Sequence, residues 1–237
     1  MSRPAQLPLP LGHRPALGHD DFLVAPCNRA AVAWLDRWPR WPAPALTLHG
    51  PPGCGKTHLA HVWRARSAAR LLRPPMLAGA EAPALIASGR ACVIDDDGEA
   101  GGDWPRRVDE HALLHLYNLL AEMGGHLLLV AATPPARWRL KLADLGSRLT
   151  AAPAVAMGPP DGEVIAAVLV KLFADRQLPV GTEVVAYLQT RLERSFDAAR
   201  RAVAALDRAS LAARRRVTVP LVREVLASLD DNIRGRE

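Results

Sequence analysis

The stretch "GPPGCGKT", residues 50–57, decides the fold of this 237-residue chain. It matches the pattern G-x-x-x-x-G-K-[ST], in which glycines let backbone N–H groups converge on phosphate oxygens. The apolar run 45–50 predicts a strand before it, and the pattern of 57–72 predicts a helix after it, whose N-terminus attracts the same anion. A glycine-rich turn that only caps a helix is the alternative. The strand and the helix on either side favour a phosphate-binding loop.

Two side chains of this loop carry the predicted chemistry. We expect Lys56 to reach the β- and γ-phosphates of a bound ADP or ATP, and the Thr57 hydroxyl to bind Mg²⁺. The other predicted nucleotide-binding residues of this region are Gly50, Pro51, Pro52, Gly53, Cys54, Gly55 and His58.

A second nucleotide motif follows in "ACVIDDD", residues 91–97, an apolar strand that ends in acid. Asp95 is predicted to hold the Mg²⁺ through water, and Asp96 to orient or deprotonate the attacking water. An aspartate that merely caps a turn is the alternative for Asp95. The position of this acid about forty residues after a phosphate loop favours the metal role.

The hydrophobic pattern divides the chain into three parts. Residues 1–20 contain several prolines and predict an extended tail. Over 21–157, apolar runs alternate with helical patterns, which predicts an α/β nucleotide-binding domain with a parallel sheet flanked by helices. From 158 to 237 every pattern is helical, which predicts a small all-α domain with helices at 161–176, 182–193, 196–213 and 219–229.

Composition excludes several classes of protein. The net charge of +6 comes almost entirely from arginine, since the chain has three lysines. It indicates contact with nucleic acid or with acidic partners, or ordinary solvated helix faces. The run "ARRR" (213–216) is predicted to be a solvated loop. No apolar run reaches the roughly 18 residues of a membrane span, and Cys27, Cys54 and Cys92 lack metal-site spacing. A cytoplasmic protein with reduced thiols and no membrane contact is therefore expected.

Four segments resemble the DnaA branch of the AAA+ ATPases. They are "HDDFLVAPCNRAAVAWL" (19–35), "GKTHLAHV" (55–62), "LVAATPPARW" (129–138) and "LADLGSRL" (142–149). The resemblance implies an AAA+ domain followed by a helical lid. It implies that the first segment wraps the adenine, through Phe22, Leu23 and Asn28. It also implies that Thr133 is the polar sensor at a strand end and that Arg148 is an arginine finger.

Within this branch, the chain resembles the DnaA-homologous regulators that inhibit replication initiation. The segment 70–90 leaves little room for the extra helix with which initiators hold single-stranded DNA, and a DNA-reading domain is not expected after the lid. The segment 206–226 also resembles the closing part of these regulators. The resemblance implies that Arg148 acts in trans to stimulate hydrolysis of DnaA-bound ATP. It also allows a homo-oligomer.

One position departs from the pattern of the branch. The lid arginine that senses the γ-phosphate falls on Asp197, and an acid repels phosphate. Arg200, one turn later on the same helical face, could take its place, or neither residue contacts the nucleotide. The chain's own ATPase is therefore expected to be weak or absent, with the nucleotide as a structural, state-reporting ligand.

The tail contains "QLPLPL", residues 6–11. Pro8 and Pro10 lack backbone donors, which excludes a helix or a central strand and favours an extended segment. It resembles the motif with which the same regulators bind the replicative sliding clamp, the β subunit of DNA polymerase III, so that DNA is contacted indirectly through the clamp. A Pro-rich leader packed loosely on its own domain is the alternative. The predicted partner-binding residues are Gln6, Leu7, Leu9, Pro10 and Leu11.

Two other functions fit a phosphate loop of this kind. A helicase-loader-like or transposon-helper ATPase would act on a helicase or on single-stranded DNA, with strongly salt-dependent binding. The short segment 70–90 and the clamp-like tail argue against it. A small-molecule kinase would need residues for an acceptor pocket, and the sequence offers no such cluster.

Overall fold

The computed structural model describes residues 23–86, 89–95, 105 and 108–234. The predictions for Gln6–Leu11, for Phe22 and for Asp96 lie outside these residues. Within them, no helix is both long enough and apolar enough to cross a bilayer.

The centre of the molecule is a five-stranded sheet in the order β2-β3-β4-β1-β5. Every neighbouring pair is parallel, as the alternation of apolar runs and helices predicts. The strands are β1 Ala45–His49, β2 Arg70–Leu72, β3 Ala91–Ile94, β4 His126–Ala131 and β5 Ala154–Ala156.

Nine α-helices lie in the described part of the chain, five within the α/β domain and four after it. The first five are α1 Arg29–Asp36, α2 Lys56–Ser67, α3 Ala82–Ile86, α4 Glu110–Glu122 and α5 Ala143–Ala151. The other four are α6 Gly162–Asp175, α7 Thr182–Arg191, α8 Phe196–Ala213 and α9 Val219–Arg234. They confirm the predicted helical run after residue 158, although α9 extends beyond the predicted end at 229.

The helix predicted over 57–72 is wrong at its C-terminal end. The helix α2 stops at Ser67, and Ala68 takes a left-handed conformation with φ of 52°. The chain then turns into β2, where Leu71 pairs with Val93 of β3 and Leu72 is fully buried. Sheet pairing and burial of Leu72 therefore override the helical propensity of this stretch.

Alternate residues of the central strands pack against helices on opposite faces of the sheet. Leu46 and Leu48 belong to the cluster formed with α1 and α2. Leu127 and Leu129 belong to the other cluster, which includes Leu113 and Leu116 of α4. Burial on both faces explains why these strands read as continuous apolar runs rather than as alternating ones.

The four C-terminal helices have a hydrophobic core of their own. Leu169 and Phe173 of α6, Leu188 of α7, and Val203 and Leu206 of α8 are all buried in it. This separate core makes 162–234 a compact helical unit that follows the sheet domain.

Candidate nucleotide-binding site

The loop 50–57 has the backbone geometry that phosphate binding requires. Gly53 and Gly55 have φ of 70° and 95°, a region that favours glycine, and Gly55 directly precedes α2. A Cβ atom on Gly50 would lie 2.1 Å from the carbonyl oxygen of Met157. The loop therefore turns tightly from β1 into α2, so that the first N–H groups of α2 point into it.

Lys56 supplies the positive charge of the loop. Its Nζ donates to the carbonyl oxygens of Gly50 and Pro51, both at 2.8 Å. Thr57 follows it in the first turn of α2 and is half-buried. The ammonium and the hydroxyl predicted to bind phosphate and Mg²⁺ thus lie next to each other at the start of this helix.

The side chain of Cys54 belongs to the core beneath the loop, and its Sγ lies 3.8 Å from Lys56 Nζ. The side chain is 1% exposed, and burial raises the pKa of its thiol, although the nearby Lys56 lowers it in part. The neutral thiol packs as a small apolar group.

Asp95 and Thr133 lie at the same edge of the sheet as the phosphate loop. Asp95 comes directly after β3 and is 1% exposed. Thr133 follows the end of β4, and its carbonyl accepts a hydrogen bond from Trp138 Nε1 at 2.9 Å. Because β4 lies between β1 and β3, the carboxyl ends of these three parallel strands bring both residues to the side of the loop.

His49 is a residue of this site that the sequence interpretation missed. It is the last residue of β1, and burial lowers the pKa of its imidazole, with further lowering from the charges of Lys56 and Arg137. A neutral imidazole beside the phosphate loop is the result. Its position immediately before the loop was the signal available in the sequence.

Asn28 fixes the segment that precedes α1. It is 1% exposed, its Oδ1 accepts from the Ala25 N–H at 2.8 Å, and its Nδ2 donates to the Leu23 carbonyl at 2.9 Å. The Gly158 N–H donates to the Cys27 carbonyl at 3.0 Å, which ties this segment to the start of the helical unit. Asn28 therefore positions the backbone of 23–28, while Leu23 is half-buried.

The first turn of α8 lies directly on the phosphate loop. The Phe196 N–H donates to the Gly53 carbonyl at 2.9 Å. A Cβ atom on Gly53 would lie 2.6 Å from the Ser195 Cβ, and one on Gly55 would lie 3.2 Å from the Phe196 ring. Ser195 and Phe196 were not predicted as site residues, because this contact joins positions far apart in the sequence.

Asp197 lies in this same turn. Its carboxylate pairs with Arg201, one turn further along α8, whereas Arg200 is exposed. The helix thus places an acid near the loop with its own counter-ion. Arg201 was also missed, although its i, i+4 spacing from Asp197 is visible in the sequence.

Arg148 is on the surface of α5. Its Nε donates to Asp144 Oδ1 at 2.8 Å, its side chain is 43% exposed, and its guanidinium lies 5.8 Å from the centroid of the Tyr117 ring. Among the described residues, these contacts are with α5 itself and with α4, and none is with the phosphate loop. The guanidinium is therefore accessible from outside the chain.

A phosphate loop after β1, acid after β3, the strand order β2-β3-β4-β1-β5 and a following helical unit define an AAA+ protein. Solved structures have the same fold. Domain III of the Thermotoga maritima replication initiation protein DnaA matches with a TM-score of 0.70 and 19% identity, over 93% of this chain and 98% of that one. AMPPCP-bound DnaA from Aquifex aeolicus matches with a TM-score of 0.60 and 16% identity, over 77% of this chain and 62% of that one.

Sequence similarity identifies the family within the AAA+ proteins. The family model described as "Hda, lid domain" matches residues 163–226. An uncharacterized protein of Haemophilus influenzae is 30% identical over 198 residues, which are 77% of this chain and 81% of that protein. The chain belongs to the Hda-type family of DnaA-homologous AAA+ proteins.

Proposed function

We propose that this chain is a negative regulator of replication initiation that stimulates hydrolysis of DnaA-bound ATP by placing Arg148 in the nucleotide site of DnaA. The observation that carries the proposal is the exposed guanidinium of Arg148 on α5, within a segment that resembles the arginine-finger box. Membership of the Hda-type family and the DnaA-like fold support DnaA as the partner.

The chain's own site is proposed to hold ADP or ATP with Mg²⁺. A bound nucleotide would supply the phosphate charge that the loop 50–57 is built to receive. Lys56 and the N–H groups at the start of α2 would bind that charge, and Thr57 with Asp95 would hold the metal. The glycine-dependent turn of the loop and the burial of Asp95 fit this ligand. Solved DnaA with AMPPCP supports nucleotide as the ligand class.

The bound nucleotide is proposed to report a state rather than to be turned over quickly. Asp197 stands at the start of α8, beside the phosphate loop, where an arginine would help to stabilise the γ-phosphate. A carboxylate there adds no stabilisation to the charge that develops in the transition state. The seating of α8 on the loop provides the route by which an occupied site fixes the position of the lid.

The resting contact of Arg148 is a weak one. Its ion pair with Asp144 is exposed, and water screens such pairs. An arginine finger accelerates phosphoryl transfer by about 10³–10⁵-fold. Because the pair with Asp144 is weak, the guanidinium can leave its own helix for the DnaA site.

The tail is proposed to recruit the chain to DNA through the sliding clamp. Because proline lacks a backbone donor and has a fixed φ, we expect Pro8 and Pro10 to favour an extended segment. In that form Leu9 and Leu11 would enter an apolar pocket while the Gln6 amide forms hydrogen bonds. A preformed extended segment loses less entropy on binding than a flexible one.

The finger is tested by the substitution Arg148→Ala. With DNA-loaded clamp and DnaA·ATP, the variant should lose the stimulated hydrolysis by about 10³-fold or more, while clamp binding stays unchanged. Arg139→Ala is the matched control, because Arg139 is an exposed arginine on the loop that leads to α5. Normal stimulation by the Arg148 variant would show that this residue is not the finger.

The tail is tested by deletion of residues 6–11. Binding to immobilised clamp should be abolished, whereas deletion of residues 13–18 shortens the same tail by an equal length and should leave binding intact. Retained binding after the first deletion would place the clamp contact elsewhere. Because this binding assay contains no DnaA, its result does not depend on whether Arg148 is the arginine finger.

A further inference from the structure

An open groove borders the far end of α8 in the helical unit. It has a volume of about 330 Å³ and is lined by Leu178, Pro179, Ser210, Leu211 and the residues 214–217. We call this surface the lid groove. It includes the three arginines of the run 214–216, which have no role in the proposed functions of the phosphate loop, Arg148 and the tail.

The floor of the lid groove is apolar. Val217 is 5% exposed and belongs to the core of the helical unit, and Leu178 packs against the same core. Leu211 is 71% exposed, more than any other exposed large hydrophobic residue that the structure describes. A single exposed leucine is ordinary, but one at the margin of an apolar groove offers a contact for another apolar side chain.

The rim of the lid groove is positively charged. Arg214 and Arg216 are exposed, and neither forms an ion pair with a residue whose side chain the structure describes. Arg215 pairs with the exposed Glu224, at 3.3 Å. Among the described residues, the lining includes no acidic side chain. The rim thus presents guanidinium groups whose donors match carboxylate oxygens in pairs.

The loop that carries the arginines is held in place. Ser210 Oγ donates to the Arg215 carbonyl at 2.6 Å, and the Arg215 N–H donates to the Ser210 carbonyl at 3.1 Å. Arg214 ends α8 in a left-handed conformation, with φ of 49°. These bonds fix the backbone from which the arginine side chains extend at the groove.

We propose that the lid groove binds an acidic segment of a partner protein, with one apolar side chain of that segment against Leu211 and Val217 and its carboxylates against Arg214 and Arg216. Charge complementarity argues for an acidic occupant, and the apolar floor argues for a peptide. A single-stranded nucleic acid would gain most from aromatic side chains on which bases stack, and the described part of the lining contains none.

The proposal is tested with the full chain and a short fluorescein-labelled peptide of Asp and Glu residues around one central Leu. Fluorescence anisotropy should show binding that weakens with salt, as expected for a charged rim. The same peptide with Ser in place of Leu should bind about tenfold more weakly, because it loses the burial of one apolar side chain. A labelled oligothymidylate of similar charge is the nucleic-acid probe.

Substitutions at the groove assign the binding. Arg216→Glu should weaken the Leu peptide about tenfold or more, since it turns an attraction into a repulsion, and Leu211→Ser should weaken it several-fold. Arg40→Glu makes the same change of charge at an exposed arginine outside the groove and should alter binding less than about twofold. The proposal would be overturned if the two charge reversals had equal effects, or if the Leu and Ser peptides bound equally well. It would also be overturned if the oligothymidylate bound more tightly than the Leu peptide, or if the Leu peptide did not bind.

Discussion

Lys56 shows how one side chain of the phosphate loop is prepared for an anion. Its ammonium donates to two carbonyl oxygens of its own loop, those of Gly50 and Pro51. A phosphate in the loop would replace these neutral acceptors by an anion, which attracts the ammonium more strongly than a carbonyl oxygen does. The exchange favours anion binding without a large movement of the lysine.

Gly53 carries a prediction at this scale. A Cβ atom there would meet Ser195, and the φ of 70° strains any other residue. Gly53→Ala should therefore push the first turn of α8 off the loop and weaken binding of a fluorescent ADP analogue about tenfold or more. Gly124→Ala has a similar φ of 62° but open space around its Cβ, so it tests strain alone. Equal affinities for the two variants would contradict the role of the lid contact.

The sequence indicates residue positions best where one motif contains the whole arrangement. The loop 50–57 follows β1, and Asp95 follows β3, because strand ends and short-range spacing determine these positions, whereas the roles of these residues stay predictions. Ser195, Phe196 and Arg201 could not be assigned to the site in this way, since their role depends on how α8 packs on the loop. Local patterns predict the helix that carries them, but not the surface against which it packs.

The element that connects the two parts of the molecule is the first turn of α8. Ser195 caps it, because its Oγ accepts from the Ala198 N–H at 2.9 Å, and it is 4% exposed. Phe196 then bonds to Gly53. The helix α8 thus packs in the core of the helical unit, and its first turn contacts the phosphate loop.

Removal of this cap should destabilise the protein measurably. Ser195→Ala is expected to lower the free energy of unfolding by about 1 kcal/mol, whereas Ser195→Gly should lose only a few tenths of a kcal/mol. Urea denaturation followed by circular dichroism measures both. If alanine proved as stable as the wild type, the hydrogen bond to Ala198 would not contribute as the structure indicates.

At the scale of elements, the long periodic helices were predictable and the short strand β2 was not. The helix α8 has the predicted bounds 196–213, and α6 begins and ends within one residue of the predicted 161–176. β2 has three residues, and it is a strand only because β3 lies beside it. Pairing with a distant strand leaves little trace in so short a segment.

The whole molecule should lose stability in mild acid. Burial lowers the pKa of His126, whose ring packs edge-on against Trp41 with the centroids 5.3 Å apart, and burial also lowers the pKa of His49. As the pH falls through about 6.5, the unfolded chain therefore takes up protons before the folded one does, and unfolding becomes easier. The stabilisation is present above this range and is lost below it.

The urea concentration at the unfolding midpoint should thus decrease when the pH is lowered from about 7.5 to about 5.5. This range lies above the ordinary pKa values of carboxylates. His126→Phe keeps an aromatic ring against Trp41 and removes one titrating group, so its midpoint should change less over the same window. A wild-type midpoint that is constant or that rises in acid would contradict this account.

The central claim is that Arg148 acts on the nucleotide of another molecule. The most direct measurement is single-turnover release of labelled phosphate in two parallel mixtures, both with DNA-loaded clamp. In one mixture only the ATP bound to DnaA carries the label, and in the other only the ATP bound to this chain does. We expect release from DnaA to accelerate about 10³-fold or more, to return to the basal rate with Arg148→Ala, and to be slow throughout from this chain. Accelerated release from this chain, with none from DnaA, would contradict the claim.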